Sequence, residues 1–237
     1  MTPGREQTPA PPPNPAQTGP VPPPAGPAGS RYGWFFGLLV VLIVGYITLN
    51  TAITKPHGSR GPDPGSSLPA FAVPLALGNL NGDADVATRA GQGEAGRVPA
   101  CQERGPGILN SCQLTERGPV ALGLFLPAGG CPRVMDELAS LQRSFPGVQL
   151  AGVAIRGNRS DVRALVRKHG WTFPVGWDRD GAVFNLYQMA VCSQVTLADR
   201  GGRVDGHSLL GAPSLATLRA RLAALAATDA ARTGRGA

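Results

Sequence analysis

The longest apolar stretch runs from Tyr32 to Thr54, carries no charged residue and reads GWFFGLLVVLIVGYITLN at its centre. A helix of about 20 residues, rising about 1.5 Å per residue, matches the roughly 30 Å hydrocarbon core of a bilayer. Residues 32–54 are therefore expected to form a single transmembrane helix. The apolar region of a cleaved signal peptide is shorter and lies nearer the N-terminus, so a retained anchor is favoured. Before it, residues 1–31 are rich in Pro and too poor in apolar residues to bury a core, and read as a disordered tail. After it, KPHGSRGPDPGSS makes residues 55–67 a linker. The remaining chain is long enough for one ordinary domain, placed at 68–227, with 228–237 as a second disordered tail.

Within that domain the pattern alternates between strand and helix. Leu68 to Leu77 is apolar in alternation but holds Pro69 and Pro74, which suits an edge strand or an extended lead-in. The stretch from there to Pro99 is Gly-rich and polar and reads as an irregular insertion. Val120 to Leu126 is a continuous apolar run, as a strand buried on both faces should be. Pro132 suits the first position of a helix, and Val134, Leu138, Leu141 and Phe145 recur at helical spacing. Val148 to Ile155 reads as a second buried strand. Ser160 or Asp161 then caps a helix containing Val162, Leu165 and Val166, which stops at Gly170. Next come a short strand at Phe173 to Val175, a turn at Asp178 to Gly181 and a helix from Ala182 to Tyr187. Val195 to Ala198 and Arg203 to Leu209 form a hairpin around Asp199-Arg-Gly-Gly202. The last element is an amphipathic helix from Pro213 to Ala227 with Leu215, Leu218, Leu222 and Leu225 on one face. This order predicts an α/β sandwich with a mixed sheet.

Charge narrows the partners. The net charge is +7, but the positive residues are scattered among Asp and Glu with no basic block, so no nucleic-acid partner is expected. Arg5 and Arg31 on one side of the apolar run face Lys55 and Arg60 on the other, and orientation cannot be read from them. The four cysteines, an even set, all lie after the run. That usage belongs to an oxidising compartment, which puts the C-terminal domain outside the cytoplasm on a cell membrane. His57, His169 and His207 match no metal-ligand spacing, and Asp178, Asp180 and Gly181 lack the Glu a calcium loop needs, so no metal site is expected.

Three stretches carry a family likeness: LFLPAGGCPRVMDELASLQRSFPGVQLAGVAI, DVRALVRKHGWTFPVGWDRDGAVFNLY and VTLADRGGRV. On them the chain resembles the thioredoxin-like superfamily, in particular the membrane-tethered thioredoxin and redoxin proteins of bacterial envelopes. The resemblance implies a thioredoxin-like α/β/α sandwich with a mixed sheet, preceded here by the single transmembrane helix. Members of that family carry Trp-Cys-x-x-Cys before a helix with Met and Leu four and seven residues beyond the second cysteine. Cys131, Met135 and Leu138 keep that spacing, so Cys131 matches the second cysteine and Ala128 stands in place of the first. The site motif is thus degenerate. Ser193 takes the place of the family's cis-proline, directly after Cys192, and the strand 120–126 lacks the family's buried acid.

Thiol–disulfide exchange needs a thiolate, which a helix N-terminus stabilises. Cys131, next to Pro132, is placed for it. The family geometry would bring Cys192 to face the turn Ala128, Gly129, Gly130, Cys131, so Cys131 and Cys192 are expected as a non-standard redox pair or a permanent disulfide. Cys101 and Cys112 bracket a polar loop and read as a structural disulfide worth about 2–3 kcal/mol, although four cysteines allow three connectivities. One expected function is thiol–disulfide oxidoreduction on protein thiols of the envelope, through Cys131 with Cys192 resolving and with no cofactor. A second is a redox-inactive scaffold whose surface around Ala128–Cys131 and Ser193 binds a partner protein. A one-cysteine peroxidase ranks last, because Ala128 offers no hydroxyl to orient a peroxide.

Overall fold

The runs Val120–Phe125 and Gln149–Ile155 are buried along almost their whole length, as the central strands of a sheet covered on both faces must be. The computed structural model describes residues 33–53, 60–86 and 97–234. The Pro-rich segment 1–31, the first part of the linker and residues 87–96 of the expected insertion lie outside them. The described strands are β1 (Ala72–Pro74), β2 (Ile108–Asn110), β3 (Val120–Phe125), β4 (Gln149–Ile155), β5 (Val175–Asp178), β6 (Ser193–Ala198) and β7 (Leu209–Leu210). The helices are α1 (Gly33–Ile53), α2 (Ser111–Arg117), α3 (Arg133–Leu141), α4 (Arg159–His169), α5 (Ala182–Leu186) and α6 (Leu215–Thr233).

The chain divides into two units, Met1–Pro56 and His57–Ala237. In the first, α1 spans 21 residues, and its described side chains, which stop at Leu49, are all exposed. Among the described residues no helix is long and apolar enough to cross a membrane. Of the expected segment 32–54, Gly33–Ile53 is thus found as a helix, but not as one that meets the length and apolarity of a membrane crossing.

In the second unit five strands form one sheet in the order β5-β4-β3-β6-β7. β3 runs parallel to β4 and β4 to β5, while β6 is antiparallel to both β3 and β7. Alternation along the strands builds two cores. On one face Ala121, Phe125, Leu150 and Ala154 meet Met135 and Leu138 of α3, Val162 and Val166 of α4, and Leu218, Leu222 and Leu225 of α6. On the other, Val120, Leu122, Leu124, Val153 and Ile155 meet Phe71, Val73, Leu109, Leu114 and Tyr187. The layers are α/β/α with a mixed sheet, as expected.

Several local expectations are corrected. Of the two readings of the Pro-containing lead-in the extended one fits: β1 pairs antiparallel with β2 in a two-stranded sheet, and just after it Leu75 bridges Gly176 at the edge of the main sheet, with Ala76 donating its N–H to Val175 O at 2.8 Å. The polar loop between Cys101 and Cys112 contains β2 and the start of α2, capped by Asn110, whose side chain accepts from the N–H groups of Cys112 and Gln113 at 2.8 and 3.2 Å. Phe145 falls beyond the end of α3, after a 3-10 turn at Gln142–Ser144, yet still packs against the core. Asn158, not Ser160 or Asp161, occupies the cap position of α4. The strand expected at Phe173 begins only at Val175 and runs to Asp178. Most of Arg203 to Leu209 is irregular, joined to β6 by a bridge between Ala198 and Val204. α6 continues to Thr233, past its expected end, and Leu215 is exposed rather than on the buried face.

Candidate functional site

Strand β3 delivers the chain to the turn 126–132, and the packing of that turn shows why it holds its place. A Cβ on Gly157, which has φ +77°, would lie 2.8 Å from Cγ of Pro127, so the loop after β4 closes onto Pro127 only because this residue is glycine. Gly129 reverses the chain at φ +57°. Cys131 donates its N–H to Ala128 O at 3.3 Å, and Arg133 donates to Gly130 O at 3.3 Å. Pro132 sits at the cap of α3 in helical conformation, and no side chain caps this end. Met135 and Leu138, four and seven residues beyond Cys131, are both buried against the sheet.

Cys192 arrives from the other side. The β3/β6 ladder pairs Phe125 with Ser193, and Leu126 extends it by donating its N–H to Cys192 O at 2.9 Å. Ser193 is buried and donates its hydroxyl to Gly211 O at 2.5 Å. No peptide bond among the described residues is cis. Cys131 and Cys192 are joined in a disulfide with Cα atoms 5.5 Å apart across 61 residues of chain. Cys192 is exposed and Cys131 half-buried, with Ala128, Gly129 and Gly130 exposed and Pro132 buried beside them.

The second disulfide joins Cys101 to Cys112, Cα atoms 5.4 Å apart. Asn110, buried, donates its amide to Ala100 O at 2.6 Å and Glu103 O at 2.9 Å while capping α2, so one side chain closes the same loop that the disulfide closes. Sequence reasoning passed over this asparagine; its position just before a short amphipathic run was the available signal.

Charged groups near α3 are engaged with one another. Arg133 and Glu137 are 3.7 Å apart. Asp136 Oδ1 lies 2.7 Å from His169 Nδ1 and accepts from Trp171 Nε1 at 2.8 Å. His169 is therefore a structural partner of α3. Among the described residues no group of three or more His, Cys, Asp or Glu is arranged to hold a metal ion.

Asp178 is a buried carboxylate that the turn reading of the sequence did not reveal. It accepts from the N–H groups of Gly181, Val183 and Phe184 at 3.2, 3.0 and 3.2 Å. Burial pushes its pKa up to about 6, with the nearby Asp180 adding to the rise and the N–H bonds opposing it. It ties the end of β5 to the start of α5, the element that leads through buried Tyr187 to Cys192. Tyr187 in turn donates its hydroxyl to Pro69 O at 2.8 Å.

Comparison with known proteins places this architecture. No family model and no curated protein sequence matches the chain. Among solved structures, a candidate thiol:disulfide interchange protein DsbE from Chlorobium tepidum superposes with a TM-score of 0.53 at 18% identity, over 69% of this chain and 98% of its own. A candidate protein disulfide isomerase from Bacteroides thetaiotaomicron gives 0.52 at 16%, over 74% and 98%. The fold is thioredoxin-like. At these identities the likeness concerns architecture, and the chemistry rests on the residues of this chain.

Proposed function

We propose that this protein is a membrane-anchored, extracytoplasmic thiol–disulfide exchange protein that acts on protein thiols through Cys131 and Cys192. The observation that carries the reading is the surface position of that disulfide. Cys192 is an exposed residue, and Cys131, half-buried, lies at the uncapped N-terminus of a nine-residue helix. Exchange requires access to one sulfur and stabilisation of the thiolate released from the other. The anchor is supported by the uncharged run 32–54 and by the helix α1 within it. The extracytoplasmic placement is supported by the pairing of all four cysteines.

The test is a redox titration of the full-length protein in detergent micelles. Samples are equilibrated across glutathione potentials, trapped with a thiol reagent and mapped by mass spectrometry. The Cys131–Cys192 pair is expected to titrate near or above about −250 mV, while Cys101–Cys112 stays oxidised to below about −300 mV. Cys131→Ser or Cys192→Ser should abolish turnover of a reducible substrate. A pair locked at every potential, with turnover unchanged in both variants, would make the domain a thioredoxin-fold scaffold.

A further inference from the structure

Resting on the exchange reading just proposed, we infer that the incoming thiolate attacks Sγ of Cys192 and that Cys131 is the leaving group. This reverses the roles expected from the sequence, in which Cys131 attacks and Cys192 resolves. The two cysteines are placed unequally. Cys192 is exposed and Cys131 half-buried, next in the chain to buried Pro132. A thiolate approaches a disulfide along the S–S axis, from the side away from the sulfur that leaves. The sulfur of the exposed residue, Cys192, is therefore the electrophile, and that of half-buried Cys131 departs.

Leaving-group chemistry favours the same direction. Cys131 lies two residues before the first residue of α3, whose N-terminal end carries no side-chain cap. The positive end of the helix dipole and the N–H groups of its first turn stabilise negative charge there, and a disulfide breaks faster toward the thiol of lower pKa. Cys192 has no such support, since it heads the strand β6 and strands carry little net dipole. Its backbone is also pinned to the end of β3 through the Leu126 N–H. An adduct on Cys192 thus sits on a fixed platform.

The step balances without a further reactant. A substrate thiolate bonds to Sγ of Cys192, the Cys131–Cys192 bond breaks, and its electron pair stays on Cys131 as thiolate. A second thiolate of the substrate then attacks the substrate sulfur of the mixed disulfide and releases Cys192 as thiolate, which takes a proton from water. The substrate dithiol is oxidised to a disulfide, and the protein pair is reduced to a thiol at Cys192 and a thiolate at Cys131.

The experiment mixes the oxidised full-length protein in micelles with glutathione, quenches with acid at short times and maps the adduct by peptide mass spectrometry. Glutathione is expected on Cys192 in at least about tenfold excess over Cys131. Equal labelling, or an excess on Cys131, overturns the inference and leaves the exchange reading standing. An intact pair with no adduct on either cysteine overturns the exchange reading itself. In the fully reduced protein, the pH midpoint for alkylation by iodoacetamide is expected about one unit lower at Cys131 than at Cys192; the opposite order overturns the inference by a route independent of exposure.

Discussion

Asp178 carries the clearest consequence of a single residue. Its carboxyl has a pKa of about 6 in the folded protein, against 3.8 for the unperturbed group. Between those values the native state holds a proton that the unfolded chain has released. Its contribution to stability is therefore complete below about pH 4 and declines as pH rises through about 6, by on the order of 3 kcal/mol in total. The Asp178→Asn variant removes this titration. Urea unfolding at pH 4.5 and 7.5, run on wild type and variant, should show a larger fall in the wild type by about 2 kcal/mol, because part of the total is already lost between pH 4 and 4.5; identical slopes would mean that Asp178 does not titrate in this window. The sequence places Asp178 in a turn before a helix, and the turn is there. Its burial is not legible, because exclusion of water depends on α5 and the end of β5 being covered by distant segments.

At the scale of elements, three glycines let the layers approach. Gly123 of β3 lies opposite Gly152 of β4, and a Cβ on either would fall within 2.6 Å of Met135 of α3. Gly176 of β5 would meet Val73 Cγ2 at 2.3 Å and Leu109 Cδ2 at 3.0 Å on the two-stranded sheet. Methionine can turn its end aside, whereas a β-branched valine on a strand cannot. Gly176→Ala is accordingly expected to cost about 1–3 kcal/mol, more than Gly152→Ala, in denaturant melts. Equal losses would show that the β1–β2 sheet yields as readily as α3. The Cys101–Cys112 disulfide belongs to this scale as well. Replacing both cysteines with alanine should lower stability by about 2–3 kcal/mol, from the loop it closes, while leaving exchange at Cys131–Cys192 unchanged. Lost exchange in that variant would give the first disulfide a redox role.

The whole molecule divides into two units, and the proposed anchor belongs to the first. In α1 Trp34, Phe36, Val41 and Tyr46 are each about two-thirds exposed or more, the apolar surface that the proposal turns toward lipid. The full-length protein is expected in the membrane fraction after alkaline carbonate washing, and replacing both Leu42 and Val44 with lysine should release it, at about 3 kcal/mol per buried charge. Retention of the double variant would remove α1 as the anchor. On the proposed placement outside the cytoplasm, a membrane-impermeant thiol reagent applied to intact cells after mild reduction should label Cys192; labelling only after lysis would reverse the orientation.

By itself the sequence determined the apolar helix, the two central strands, α3, the C-terminal helix and an α/β architecture with a mixed sheet, because each is written as a local periodicity, an order of elements or a run too apolar for water. The family resemblance around Cys131, Met135 and Leu138 also pointed to Cys131 and Cys192 as neighbours, and the two are joined. Only the tertiary structure decided that β1 pairs with β2, that Asn110 and a disulfide close the same loop, and that Cys192 is exposed where Cys131 is half-buried. Those features depend on which distant segments meet. Strand register, exclusion of water and the order of exposure at a surface arise from the assembled layers, and no window of neighbouring residues carries them.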